Sequence, residues 1–315
     1  MPEGHSVRRL AQQFGDVFAG ESLAVSSPQG RFAAGAALLD GQVLTESHAH
    51  GKHLFLHFDH AVVLHVHLGL YGAWDFGGDA TFRGASSIGA PRKVGEREVF
   101  DDAETDDAGR VGYAGPPEPR GAVRVRLVSR HGWADLRGAT TCAAITEAEA
   151  MAVLGRLGPD PLRNLPTDRT RFVAGLQARK TPIAALLMDQ KVIAGVGNVY
   201  RAEVLFRQRL DPWLPGTALS SGAAGLLWDD TAAVMADGVR DGRIITTPQV
   251  YWESVYGEPD YRESREPGTV LPSGGDAHFV YKREGQPCRV CGTPVAITEM
   301  VGRKLYWCPG CQQKQ

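Results

Sequence analysis

Residues 194–203 read Ala194-Gly195-Val196-Gly197-Asn198-Val199-Tyr200-Arg201-Ala202-Glu203, a glycine-rich turn that runs straight into a helical pattern ending near Arg207. Asn198 stands at the start of that helix, where unpaired backbone N–H groups and the helix dipole suit an anion. Gly195 and Gly197 hold the first two places of a dinucleotide-binding fingerprint. Tyr200 occupies the third glycine place and no βαβ unit precedes it, so that reading fails. Working outward, helix formers dominate from 146 onward. Thr146 and Glu149 are spaced as a capping box at the head of a predicted helix over 146–157, and helices over 168–178, 182–187, 199–207 and 223–240 follow.

Upstream the pattern differs. Val7, Leu10, Ala11 and Phe14 recur at helical spacing, predicting a helix over 6–14. From 23 to 136 come short alternating runs broken by Gly and Pro, such as Leu54-Phe55-Leu56-His57-Phe58 and Val123-Arg124-Val125-Arg126-Leu127. These predict an antiparallel sandwich or barrel. Residues 77–121, rich in Gly, Pro, Asp and Arg, read as a mobile surface insert, and 256–276 as a linker. The expected fold class is multidomain α+β, with domains at 1–140, 141–276 and 277–315.

The last of these carries Cys288-x2-Cys291 and, after sixteen residues, Cys308-x2-Cys311. That is the spacing of a closed four-thiolate zinc site, with Gly292 and Gly310 in the turns. Such a site is structural and leaves no open position for catalysis. Zinc ribbons serve both nucleic-acid and protein contact, so function stays open here. Cys142, the fifth cysteine, reads as a small buried hydrophobe. His65 and His67 share one strand face within a stretch, 48–67, that holds seven of the ten histidines. A second metal site or plain strand-face packing both fit.

The 315 residues are 43% hydrophobic and 22% charged with net charge −2, ordinary soluble-globular values. Residues 79–118 carry nine acidic against five basic residues, whereas 278–315 carry six basic against two acidic. A basic C-terminus beside an acidic insert is compatible with a nucleic-acid partner. No apolar run approaches membrane-spanning length, and the first residues have no basic and apolar signal pattern, so the expected compartment is the cytoplasm.

Pro2 becomes a secondary amine once Met1 is removed. α-Amino groups titrate near about 7.7–8.0, so part of such an amine is neutral and nucleophilic at neutral pH. Addition to a sugar aldehyde carbon yields an iminium without an added proton, and adjacent Glu3 can act as general acid and base. On its own, a proline at position two is commonly only a processing signal.

Met1-Pro2-Glu3-Gly4, Gly51-Lys52-His53, the 194–203 segment and the four-cysteine finger occur in this order. Together they resemble the formamidopyrimidine-DNA glycosylase and endonuclease VIII family nearly end to end, apart from 77–121 and 256–276. The resemblance implies an N-terminal β-sandwich with flanking helices, a helix-two-turns-helix domain, and a zinc finger, with DNA between them. It implies a bifunctional DNA glycosylase and AP lyase of base excision repair. Pro2 is then the nucleophile at C1′, Glu3 the acid/base, and Lys52 a phosphate-contacting residue that assists catalysis. Asn198 and Arg303 hold phosphates beside the extruded nucleotide, and Leu70 and Tyr71 fill the gap it leaves.

Gly69-Leu70-Tyr71 is similar to the Gln-Leu-Tyr of the endonuclease VIII branch, and the proline-arginine-arginine-phenylalanine-glycine segment of the 8-oxoguanine branch is replaced by Ser129-Arg130-His131-Gly132-Trp133. Oxidised pyrimidines are the expected substrates. An 8-oxoguanine or formamidopyrimidine glycosylase and a non-catalytic damaged-DNA-binding protein are the alternatives. One structural Zn2+ and no redox or nucleotide cofactor are expected. The expected partners are damaged DNA and downstream base excision repair enzymes, for a monomer that associates with the nucleoid when acting on DNA.

Overall fold

The computed structural model describes residues 2–79, 81–90, 115–251, 272 and 276–313. The chain divides into two compact units, Met1–Arg156 and Leu157–Gln315. No helix among the described residues is long and apolar enough to cross a membrane.

In the first unit, α1 (Gly4–Phe18) buries Val7, Leu10, Ala11, Phe14 and Phe18 on one face, extending the predicted helix by two residues at its start and a turn at its end. Two antiparallel sheets follow. One has the order β1-β7-β8-β5-β6, from β1 (Ala24–Ser26), β5 (Ala73–Gly78), β6 (Ser87–Gly89), β7 (Val123–Val128) and β8 (Gly132–Arg137). The other has the order β2-β3-β4-β9, from β2 (Leu44–His50), β3 (His53–Phe58), β4 (Val62–His67) and β9 (Thr141–Thr146). Alternate residues of each strand point inward, so Leu54, Leu56, Leu64 and Val66 share a core with Trp74, Phe76, Val125, Leu127, Leu136 and α1. The Phe14 ring meets Trp74 edge-on at 4.8 Å and Phe76 at 5.2 Å. The predicted sandwich is present. α2 (Ala33–Leu39), a short alanine-rich helix, is an addition the periodicity does not announce.

Two sequence expectations shift. β9 pairs with β4, and α3 (Glu147–Leu154) packs Ala150 on Phe55 and Val63, so both belong to the first unit, not beyond a boundary at 140. The capping box at Thr146 and Glu149 forms as predicted. The insert is also shorter than 77–121. β5 runs through Gly78 and pairs with β6, whose Ile88 enters the core. A three-residue strand set among glycines has no visible period, which hides it. At the far end, Arg126 donates to the Pro117 carbonyl at 2.7 Å and Arg137 to that of Arg120 at 2.9 Å. Residues 91–114, and all of the 256–276 linker except Pro272 and Asp276, lie outside the described residues.

The outer face of the first sheet carries charge. Arg126 makes a two-pronged bond to Asp135 at 2.7 and 2.8 Å, both side chains buried, and Arg137 pairs with Asp75. Fork geometry of this kind offsets the desolvation of the two ions.

The second unit holds α4 (Asp168–Gln177), α5 (Ile183–Leu186), α6 (Asn198–Arg207), α7 (Ser221–Asp241) and the hairpin β10 (Ala296–Met300) and β11 (Arg303–Trp307). Two turns join α5 to α6. The Gln190 side chain spans them, accepting from the Gly195 N–H at 3.0 Å and donating to the Val196 carbonyl at 3.0 Å. Gly195 has φ +90°, a conformation that favours glycine. α6 is buried from Asn198 through Phe206, including Arg201 and Glu203.

Glu203 explains that burial. Its carboxylate accepts the backbone N–H of Phe279 (2.8 Å), Val280 (2.9 Å) and Tyr281 (2.8 Å) and the Thr246 hydroxyl. Replacing Glu203 by Ala strands two buried backbone donors, at Phe279 and Val280, and a half-buried one at Tyr281; a buried donor costs about 1–3 kcal/mol unpaired. The expected loss for Glu203→Ala is at least ~2 kcal/mol. Thermal unfolding should register it, with faster proteolysis around residue 280.

Candidate active site

Pro2 is buried, and Glu3 is fully buried as the N-cap of α1, its carbonyl accepting the N–H of Ser6 at 3.0 Å and of Val7 at 3.4 Å. The second residue of the chain is thereby held against a helix. At the second position of α1, His5 is buried, and burial foremost, then Arg9, pushes its pKa down to about 3, so it is neutral near pH 7. Sequence reasoning passed over His5, since a lone histidine on a helix carries no local signal.

Lys52 is half-buried in the two-residue turn between β2 and β3, where His50 pairs with His53. Gly51 there has φ +58°, as a tight hairpin turn with glycine first requires.

Leu70 and Tyr71 lie in the loop between β4 and β5, 36% and 80% exposed, the latter a large apolar surface offered to solvent. The loop is closed by the Gly72 N–H on the Leu68 carbonyl at 3.0 Å. Gly69 has φ +67°, and a Cβ there would lie 1.9 Å from the Thr140 hydroxyl oxygen. The left-handed backbone and the Thr140 side chain across the loop together favour glycine at 69.

In the second unit the structure brings Asn198 and the Arg303 hairpin together. Asn198 begins α6, and its amide donates to the Lys304 carbonyl at 2.8 Å. Buried Arg201 donates to the carbonyls of Lys304 (3.2 Å) and Met300 (3.4 Å) and to the Asn198 side chain. Arg303 opens β11 on the surface, after the turn Val301-Gly302, both with positive φ. The buried helix thus fixes the backbone on either side of an exposed guanidinium. The Asn198 side chain serves this hairpin, a use that its position at a helix start does not reveal.

The four cysteines form one cluster, with Sγ atoms within 4.8 Å of one another. Cys288 and Cys311 stand 3.8 Å apart, and Cys291 and Cys308 3.5 Å. A tetrahedral zinc with Zn–S of about 2.3 Å needs an S···S edge near 3.8 Å, so the donor set fits. Gly292 has φ +75°, and a Cβ on Gly310 would lie 2.9 Å from the Cys291 sulfur. Both turns therefore need glycine. Cys142 packs against the sandwich core, and burial raises its thiol to about 12, which suits an inert hydrophobe.

Comparison with known proteins follows the same divisions. The formamidopyrimidine-DNA glycosylase N-terminal domain matches residues 1–128, that family's H2TH domain 157–249, and the zinc finger found in FPG and IleRS 285–314. Endonuclease 8 1 of Mycobacterium tuberculosis is 41% identical over 312 residues, covering 99% of this chain and 100% of the relative. Formamidopyrimidine-DNA glycosylase of Thermus thermophilus is 38% identical over 161 residues, covering 51% of this chain and 55% of its own. The crystal structure of MutM (Fpg) from Thermus thermophilus superposes with a TM-score of 0.67 at 27% identity, covering 99% of this chain and 98% of that one. Lactococcus lactis Fpg in complex with abasic-site DNA shares the fold, with a TM-score of 0.68 at 17% identity, covering 99% of this chain and 100% of that one.

Two measurements test the site. Gly69→Ala should cost more than ~1 kcal/mol, read as a fall in denaturation midpoint, because a Cβ in this left-handed conformation also meets the Thr140 side chain. Metal analysis should find zinc on the cysteines, and chelation should unfold the finger. The Trp213–Trp307 edge contact at 4.7 Å makes tryptophan fluorescence the readout. With matching models across all three regions and a full-length relative at 41% identity, the chain belongs to the formamidopyrimidine-DNA glycosylase and endonuclease VIII family of DNA glycosylases and AP lyases.

Proposed function

We propose that this protein excises oxidised bases, pyrimidines foremost, from DNA and cuts the strand at the emptied site through the amine of Pro2. The observation that carries the reading is the start of the chain, where buried Pro2 is followed at once by fully buried Glu3 at the head of α1. With Met1 removed, the Pro2 nitrogen attacks C1′, the glycosidic bond breaks with its electrons leaving on the base, and Glu3 protonates the ring oxygen as the sugar opens. The resulting iminium draws electrons from C2′. Loss of a C2′ proton expels the 3′ phosphate, and a second elimination expels the 5′ phosphate, leaving a one-nucleotide gap.

The remaining residues serve extrusion of the nucleotide, which costs a few kcal/mol of stacking and pairing. Lys52 and Arg303 hold phosphates, Asn198 turns its second amide hydrogen to one while its first stays on the Lys304 carbonyl, and Leu70 and exposed Tyr71 occupy the vacated stack. Zinc on Cys288, Cys291, Cys308 and Cys311 is structural and takes no part in the reaction. Pyrimidine preference rests on the Gly69-Leu70-Tyr71 segment and on the relative named Endonuclease 8 1. The protein acts as a monomer on the bacterial nucleoid, and the gap is passed to enzymes that clean the 3′ end and refill it.

Borohydride trapping on DNA containing thymine glycol, 8-oxoguanine or an abasic site tests this, with peptide mapping of the adduct. The expected adduct sits on Pro2 with thymine glycol and vanishes in protein that retains Met1. Trapping on 8-oxoguanine alone would move the protein to the purine branch. No adduct at an abasic site would leave only a damaged-DNA binder.

A further inference from the structure

The outward face of the second sheet carries a file of rings. In register, His50 faces His53 and His53 faces His67, while the adjacent row pairs His48 with Phe55 and Phe55 with His65. Ring centroids step from His48 to Phe55 (5.2 Å), to His65 (4.9 Å), to His53 (5.1 Å) and to His67 (4.9 Å). α3 packs on this face at Phe55 and Val63, and the row of His50, His53 and His67 lies nearest the Lys52 turn.

His53 and His65 are partnered unlike the three histidines that meet carboxylates. His57 Nδ1 meets Glu147 at 2.7 Å, His60 meets Asp59 at 3.0 Å and His131 meets Asp79 at 2.6 Å. His53 Nδ1 instead meets His65 Nε2 at 2.8 Å, so one ring must present a lone pair to the other. Burial foremost, then repulsion among the histidines themselves at His53 and His65, with Lys52 near His53 and His67 and Arg156 near His65, lowers the pKa of all three rings, to about 3 at His53 and about 4 at His65. Neutral nitrogen donors on neighbouring strands, two of them at i and i+2, are what a borderline divalent ion takes as ligands.

We propose that His53, His65 and His67 form a second metal site, for Zn2+ or a similar borderline dication, separate from the cysteine cluster. The rings are stacked and do not yet converge. Zinc–nitrogen bonds of about 2.0–2.1 Å set ligand nitrogens about 3.3 Å apart, so the His53–His65 contact opens by about half an ångström while the His67 ring turns inward. His50, next in the cross-strand row, or a water completes a tetrahedron. The positive field of Lys52 and Arg156 opposes the added charge, so this site fills after the cysteines. It draws on the fold alone and is independent of the proposed substrate.

Equilibrium dialysis of the zinc-loaded protein against micromolar free Zn2+ tests the proposal, with metal quantified per chain. Wild type should bind a second equivalent, and His53→Phe/His65→Phe, chosen to keep the ring stack, should retain only the first. Side-chain nitrogen NMR of histidine-labelled wild type should place the Zn2+-induced shifts on His53, His65 and His67, an arm that does not depend on the variant folding. A single equivalent in wild type, a second equivalent that survives in the folded double variant, or shifts confined to His60 and His131 would each overturn it.

Discussion

The buried carboxylate of Glu203 is the interaction on which the second unit depends. One side chain on α6 accepts three consecutive backbone N–H groups at 279–281, so the chain entering the finger is pinned to the helix that follows the two turns. Around it the same helix does further work. Asn198 and Arg201 hold the Lys304 and Met300 carbonyls, and Gln312, just past the last cysteine, donates to the Leu210 carbonyl at 3.0 Å. Leu305 of the hairpin enters the helical core. A finger of this size has little apolar area of its own, so zinc and α6 together supply what a core would.

The first unit solves a different problem, since a sandwich has two outer faces as well as one interior. Its interior is apolar and closed by α1. One outer face carries the Arg126–Asp135 fork and the Arg137–Asp75 pair, which also grip the return of the insert at Pro117 and Arg120. The other face divides between α3 and the histidine file. Between the strands, the turn at Gly51-Lys52 and the loop at Gly69-Leu70-Tyr71 are short, each with a left-handed glycine at its start.

Much of this was legible in the residues. Helical spacing located α1, α4, α6 and α7 to within a few positions, because periodicity is a local property of a face that must be buried. The capping box at Thr146 and the paired C-x2-C turns were equally local. What escaped was short or remote. β6 has three residues among glycines, and α2 is a single alanine-rich stretch. Glu203 left one trace, a carboxylate within a run where its neighbours are apolar, but nothing nearby in sequence names partners some 76 residues away.

The sequence by itself determined the order of the longer elements, the paired cysteines and the motifs that mark the family, because spacing along the chain sets which faces and turns can form. Only the tertiary structure decided why position 69 favours glycine, since the obstacle is Thr140 across the loop. It likewise decided that Asn198 supports the Arg303 hairpin and that His53 bonds His65 rather than a carboxylate. The physical reason is common to all three. Steric exclusion and desolvation depend on which atoms lie within a few ångströms in space, and those atoms come from strands and loops that the linear order keeps far apart.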